Sequence, residues 1–315
     1  MKQAIGSQKI GNVELLSLGK KLSEDYSDGD VEDQILQLFR SKNPEQARLK
    51  ILASHPSWPL YYHLSYSRGT LLNWYPIGEN EKVLEIGAGC GAITETLITK
   101  SRHVTALELT KRRALITATR HQQSNNLRVI CGNLEDLSTT DKHDVAICVG
   151  VLEYAPSYIS GSVPSVQFLE QVKKSLKPNG RILIAIENKF GLKYWRGANE
   201  DHTGQPFDGI NDYRFTDKKV RTYSRHEIID LLSSCGLKTT NMYYPYPDYK
   251  TPFFVYSDDY YPGHGTSFPI ELLPSPDTDR PTEQLFSESL AMTTIEHGGL
   301  FREFANSFLI EAVLA

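Results

Sequence analysis

The chain has 315 residues but only four cysteines, at positions 90, 131, 148 and 235, and no Cys-x-x-Cys pair. That scarcity and spacing speak against a disulfide framework or a zinc site and suit a reduced compartment. No apolar run approaches the ~18 residues of a membrane span. The opening MKQAIGSQKIGNVELL lacks the apolar stretch of a secretory signal. A cytoplasmic location is therefore expected. A basic excess is missing too: 34 Lys and Arg stand against 38 Asp and Glu, giving a net charge of −4. That balance speaks against a protein that lives on nucleic acid. What is present is ordinary for a globular chain, 40% hydrophobic and 23% charged, enough for a full core. There is no internal repeat.

The first thirty residues are weakly patterned, and Ser23 to Asp33 is acidic and polar. Val31, Ile35, Leu38 and Phe39 then follow helical spacing. Asn43-Pro44 reads as an N-cap with proline at the first helical position, opening a helix through Leu52. Residues 57–76 are aromatic, with helix expected in their second half, and end at Pro76-Ile77-Gly78. From there strands and helices alternate. Strands are expected at Lys82–Ile86, Val104–Leu109, Leu127–Cys131, Val145–Val149 and Arg181–Ile186. Helices are expected at Ala92–Lys100, Lys111–Gln123 and Val166–Leu176, with a turn at Lys177-Pro178-Asn179-Gly180. Such alternation implies a parallel α/β sheet. Asn188 to Thr222 breaks the rhythm, but its aromatics argue against disorder. Ser224 with Glu227 forms a capping box for a helix through Ser234. Leu237–Tyr244 and Pro252–Tyr256 read as two strands, followed by a Pro- and Tyr-rich tail and a last strand over Phe304–Val313.

Residues 83–91 read Val-Leu-Glu-Ile-Gly-Ala-Gly-Cys-Gly, a strand running into a glycine turn before a helix. Glycines let backbone approach a ligand closely. Gly87, Gly89 and Ala92 also satisfy the dinucleotide pattern. Glu85 separates the readings, because a carboxylate there repels a pyrophosphate but suits a ligand carrying an ammonium group. The third glycine, Gly91, extends the turn to G-x-G-x-G spacing, open for a bulkier, uncharged stretch of ligand.

That combination resembles motif I of the class I S-adenosylmethionine (SAM) methyltransferases, and the resemblance continues in order over residues 60–256. It implies that Glu108, ending the next strand, takes both ribose hydroxyls, with Leu109 beside it. Asn133 and Leu134 stand where the family flanks adenine, Asn133 replacing the usual Asp. Asp144 through Tyr154 resembles the fourth strand and its loop, and Leu176 to Arg181 the turn before the fifth. The cofactor implied is SAM, held by Glu85, Gly87, Ala88, Gly89, Glu108, Leu109, Asn133, Leu134 and Gly150. Cys90 and Cys131 are read as small core or pocket-wall residues, and Lys111-Arg112-Arg113 as a solvated helix face.

The loop after the fourth strand holds Gly150-Val151-Leu152-Glu153-Tyr154 instead of the [DN]-P-P-[YF] of amino-methylating DNA enzymes, so base methylation is not expected. The segment after the fifth strand brings Glu200, Asp201 and His202 together. An acid beside a histidine holds an imidazole as general base for a hydroxyl, and a turnover rate rising through a group near ~6.5 is then expected. No metal is expected on these three, since adjacent residues rarely point at one ion. Glu153, Tyr154, Asn188, Tyr194, Trp195 and Arg68 are the candidate acceptor-binding residues.

His63-Leu64-Ser65 with Arg68, the run Asn188 to Tyr194, Glu200 to Gly204 and Phe304 to Glu311 resemble bacterial methyltransferases of surface-polysaccharide and glycan biosynthesis. The expected fold is α/β, a Rossmann-like, mostly parallel seven-stranded sheet with an antiparallel strand near residues 252–256. A helical arm (1–76) precedes a SAM-binding domain (77–256, with an acceptor-site insertion at 188–222), and an extension (257–315) packs on the core. The expected activity is SAM-dependent methyl transfer, at oxygen of a small-molecule or glycan-type acceptor. Transfer to carbon or nitrogen and a non-catalytic scaffold are the alternatives. The sequence is silent on oligomeric state.

Overall fold

The computed structural model describes residues 5–19, 27–138, 140–269 and 282–315. The start of the acidic segment at Ser23 and part of the Pro- and Tyr-rich tail lie outside these. The chain divides into two units, one of Met1–Cys148 with Gln171–Arg181, the other of Val149–Glu170 with Ile182–Ala315.

The first unit opens with strands β1 (Gly6–Ile10) and β2 (Val13–Ser17), an antiparallel hairpin in register Gly6↔Ser17 to Ile10↔Val13. The purely helical arm expected for residues 1–76 therefore needs correction. The turn is Gly11-Asn12, with Gly11 at φ +58°, and a Cβ on Gly11 would lie 2.2 Å from the Gln122 carbonyl oxygen. A two-residue Gly-Asn turn is a hairpin signal. The alternation around it is faint because β1 is almost wholly exposed.

Helices α1 (Asp30–Arg40), α2 (Pro44–Ala53) and α3 (Trp58–Leu64) follow. The helix of the aromatic stretch thus lies in its first half, and a 3₁₀ turn over Tyr66–Leu71 succeeds it. Then come β3 (Lys82–Ile86), α4 (Thr94–Lys100), β4 (His103–Glu108), α5 (Lys111–Arg120), β5 (Leu127–Cys131) and β6 (His143–Val149). Strand order is β1-β2-β5-β4-β3-β6. From β2 onward every pair is parallel. Ile35, Leu38, Phe39 and Leu64 pack with Cys90 and Ile116 in one buried cluster. Cys90 is thus a small core residue, as expected, and burial pushes its thiol well up from its ordinary range.

Arg113 does not belong to a solvated face. It is 6% exposed, and its guanidinium lies 2.7 Å from both Glu32 and Asp28. Glu32 is itself buried and also accepts from Ser27 and the Asp28 N–H. Replacing Arg113 with alanine strands this buried carboxylate. The expected loss is about 3 kcal/mol, the lower end for a broken buried pair because two donors remain. Urea unfolding measures it, and a loss below about 1 kcal/mol would contradict the buried network.

Helix α7 (Pro164–Ser175) and β7 (Leu176–Glu187) carry the chain between the units. The turn expected at residues 177–180 is instead part of β7, where Pro178 and Asn179 are exposed. An exposed position tolerates proline's missing donor.

The second unit also holds α6 (Ala155–Tyr158), α8 (Leu192–Trp195) and α9 (Arg225–Ser234), whose capping box of Ser224 and Glu227 is formed as read from sequence. Then come β8 (Leu237–Tyr246), β9 (Phe254–Ser257), β10 (Tyr261–Pro262), β11 (Gly265–Thr266), α10 (Glu288–His297), α11 (Phe301–Phe304) and β12 (Ser307–Leu314). Its order is β7-β12-β8-β9, and β8 is antiparallel to both neighbours. The antiparallel strand expected near 252–256 is present as β9 at the edge. The interior antiparallel strand, however, comes from the last residues of the sequence. Among the described residues no helix is long and apolar enough to cross a membrane.

Candidate functional site

In the first unit, β3 delivers Glu85 to the head of the glycine turn, where it is 3% exposed and accepts a 2.6 Å hydrogen bond from Thr94 Oγ1. Burial, reinforced by the nearby Glu108 charge, pushes Glu85 up to about 8. The N–H groups of Gly87 and Ala88 donate to Leu107 O at 2.8 and 3.0 Å, tying the turn to β4. Gly89 donates its N–H to Glu108 Oε2 at 2.9 Å. The other carboxylate oxygen of Glu108 accepts from Thr110 N and Oγ1 at 2.8 and 3.1 Å. The turn thus holds Glu108 in one orientation, 5% exposed.

Two glycines of this turn do different work. Gly89 sits at φ +56°, and a Cβ built on it meets nothing within 4 Å. Gly91 sits at φ +78°, but its Cβ would lie 2.9 Å from His121 Nε2. The open extension expected at Gly91 is therefore filled by protein, and the free space is at Gly89. Space beside Gly89, an oriented carboxylate at Glu108 and a buried acid at Glu85 fit a ligand with a diol and a cationic end.

Asn133 caps the short 3₁₀ turn Leu134–Asp136, its Oδ1 accepting from Glu135 N at 3.1 Å, so the amide oxygen expected to meet adenine is already shared with backbone. Leu134 is buried and Leu109 half-buried. Arg68 is buried here as well. Its guanidinium stacks 4.1 Å above the Tyr62 ring, and its charge acts on Glu85.

In the second unit, Gly150 at φ +69° donates its N–H to Ala185 O at 3.0 Å, and a Cβ on it would lie 2.7 Å from Tyr249 Oη. Glu200, Asp201 and His202 follow β7, but Asp201 turns away to other partners. Glu200 Oε2 accepts from the His202 and Thr203 backbone N–H groups at 2.8 and 2.7 Å, and Oε1 accepts from Tyr213 Oη at 3.1 Å. Asp201 accepts from Lys193 at 2.7 Å, from Lys250 at 3.3 Å and from the Tyr194 hydroxyl. Burial would raise Asp201, but the two lysines outweigh it and hold the carboxyl below its ordinary range.

His202 faces two acids distant in sequence as well as its near neighbour Glu200. Its Nε2 lies 3.4 Å from Glu187, 3.9 Å from Glu153 and 4.0 Å from Glu200, while Nδ1 is 3.1 Å from the Tyr154 hydroxyl. Burial alone would lower the imidazole, but Glu187, Glu200 and Glu153 push it up to about 10. The surrounding carboxylates thus favour the charged form of the imidazole. The inflection near ~6.5 expected for a free histidine base is corrected by these carboxylates. Burial beside Glu187 pushes Glu153, which is fully buried, up to about 8.

Asn188 has its amide fully engaged, donating to Glu303 O and Ala305 O at 2.7 and 2.8 Å and accepting from Phe190 N at 3.0 Å. Tyr194 is 2% exposed, whereas Trp195 is 41% exposed. Sequence reasoning missed Glu187 and Lys250. Glu187 looks like the last residue of an apolar strand, but it is fully buried and accepts from Tyr249 at 3.1 Å and from Lys250. Its position at the carboxyl end of a buried strand was the available signal.

Residues 84–182 match the family model described as a methyltransferase domain. No curated protein matches the chain. Among solved structures, a methyltransferase in complex with the Haloferax volcanii Trm112 methyltransferase activator shares 14% identity and a TM-score of 0.48, over 91% of this chain and 97% of that one. An S-adenosylmethionine-dependent methyltransferase from Clostridium acetobutylicum shares 13% and 0.45, over 84% and 95%. A DhpI-SAM-HEP complex shares 17% and 0.42, over 69% and 93%. The α/β strand–turn–helix order and the glycine turn lie within the matched segment, so residues 84–182 are similar to a methyltransferase domain.

Proposed function

We propose that the chain methylates a hydroxyl oxygen of a small-molecule or glycan-type acceptor. SAM supplies the methyl group on a sulfonium. In this reading Glu108 accepts from the ribose hydroxyls, the open face at Gly89 takes the ligand backbone, and Glu85 meets the cationic amino-acid end. Burial keeps Glu85 largely protonated at neutral pH, and a cation beside it favours the carboxylate, so binding releases a proton. SAM affinity is then expected to rise between pH 6 and 8, by up to about tenfold per pH unit, and to level off above. A flat calorimetric profile over that range would remove Glu85 from the ligand.

The observation that carries the acceptor reading is an exposed aromatic patch in the second unit. Trp195 lies 6.5 Å from Phe190 and 6.4 Å from Phe304, ring centre to ring centre, and Trp195 and Phe190 are 41% and 38% exposed. Aromatic faces with polar neighbours suit sugar rings, and sugars present hydroxyls to a methyl donor. The resemblance to glycan methyltransferases points the same way. Trp195 is the acceptor platform in this reading. Glu200 and Asp201 are positioning residues, and Asn188 and Tyr194 hold the segment in shape. A mass-spectrometric screen of glycans and small hydroxyl compounds with methyl-labelled SAM tests it. Once an acceptor is found, Trp195→Ala is expected to raise its KM about tenfold, the scale of one aromatic contact, and to leave SAM affinity unchanged. An acceptor KM within twofold of the parent would contradict the platform role.

A further inference from the structure

In the interior of the second unit five carboxyl groups face two lysines and the His202 imidazole. Glu153, Glu187, Glu200 and Asp248 are each at most 3% exposed, and the Asp201 side chain is 9% exposed. Facing them are Lys193, which pairs with Asp201 at 2.7 Å and Asp248 at 3.6 Å, and Lys250, which pairs with Glu187 Oε1 and Asp201. Glu200 is satisfied by Tyr213 and two backbone N–H groups. The remainder is concentrated in one place. Both carboxylate oxygens of Glu153 are buried and make no hydrogen bond, and the buried Glu187 Oε2 and His202 Nε2 have no partner beyond each other at 3.4 Å. Buried polar atoms in that state are costly unless something occupies them.

We infer that Glu153, Glu187 and His202 form a binding site for one divalent cation. One donor atom from each lies within 4.8 Å of the others, with Nε2 at 3.4 Å from Glu187 and 3.9 Å from Glu153. Ligands about 2.0–2.2 Å from one ion stand roughly 3–4 Å apart, so the three close on an ion by small side-chain movements. The outer contacts already aim them. Tyr154 engages Nδ1 at 3.1 Å, which turns Nε2 inward. Tyr249 and Lys250 occupy Glu187 Oε1, which leaves Oε2 facing His202. Two carboxylates and one imidazole suit Mn²⁺ or Zn²⁺. The ion takes the place of the His202 proton, and its charge meets the carboxylates of Glu153 and Glu187. This is not the Glu200-Asp201-His202 set weighed on sequence, because Asp201 is committed to Lys193, Lys250 and Tyr194. The inference does not rest on the acceptor reading, since metal binding is read without turnover.

The test uses the full chain, stripped with a chelator and titrated at pH 8 with Mn²⁺ by electron paramagnetic resonance and with Zn²⁺ by calorimetry. One ion per chain is expected, with affinity at least about tenfold weaker in Glu153→Gln and in His202→Ala. Asp230→Asn, at an exposed position, should bind as the parent does. Circular dichroism and SAM titration confirm that the variants fold. If either variant fails to fold, electron spin-echo modulation of Mn²⁺ on the unsubstituted chain decides, and it should show one imidazole nitrogen. Absence of stoichiometric binding, affinity within twofold in both folded variants, or bound Mn²⁺ without nitrogen coupling overturns the site.

Discussion

Glu108→Ala is expected to weaken SAM binding by about a hundredfold or more. Two charge-assisted hydrogen bonds to a vicinal diol disappear, each worth ~1.5–3 kcal/mol. A second loss adds to this. Glu108 is the acceptor for the N–H of Gly89 and for Thr110 N and Oγ1. Without it the turn loses the tie between Gly89 and the end of β4. Glu108→Gln separates the two effects. It keeps an oxygen for one side and the side-chain shape, and its loss should be nearer tenfold. The side chain is only 5% exposed, so the alanine variant also leaves a small cavity, and its thermal unfolding is measured alongside. SAM affinity within twofold of the parent, in a folded variant, would sink the assignment of Glu108 to the ribose.

Gly89→Val is expected to abolish SAM binding while the protein stays folded. A β-carbon at Gly89 touches no protein atom within 4 Å. At the β-carbon the intramolecular cost is the left-handed backbone, φ +56°, about 1–2 kcal/mol for a residue with a side chain. The bulk is therefore delivered into the space left for ligand. Gly91→Ala, two residues on, should behave in the opposite way. Its methyl runs into His121 at 2.9 Å, so stability falls first and SAM affinity follows only through misplacement of the turn. Calorimetry with SAM and thermal melts on the pair separate the two glycines. Normal binding by Gly89→Val would show that this turn is not the cradle.

The first unit was legible because its signals are local. A buried parallel strand is a continuous apolar run, and β3 and β5 have the expected ends, Lys82–Ile86 and Leu127–Cys131. The turn after β3 carries Gly87, Gly89 and Gly91, all at positive φ. The capping box at Ser224 and Glu227 was visible for the same reason. What was missed depends on partners distant in sequence. The β1–β2 hairpin is a sheet edge with an exposed first strand, so its alternation is faint. Arg113 reads as one more charge on a helix until Asp28 and Glu32 fold over it. The segment after β7 has no period because ion pairs hold it, such as Arg196 with Glu288 at 2.6 Å. Sequence order suggested that Asp201 and Glu200 flank His202. The chain instead turns Asp201 toward two lysines and brings in Glu153 and Glu187 from other elements. Neighbours in sequence seldom share a target in such a loop, and only the folded backbone shows which acid meets the imidazole.

The central claim is that this chain binds SAM at the turn between β3 and α4. Calorimetric titration of the full, unsubstituted chain with SAM tests it most directly, with S-adenosylhomocysteine as the displacing ligand. One SAM per chain, displaced by S-adenosylhomocysteine and lost in Gly89→Val, is the predicted result. Absence of SAM binding by a folded chain, or binding that Gly89→Val leaves intact, would contradict it.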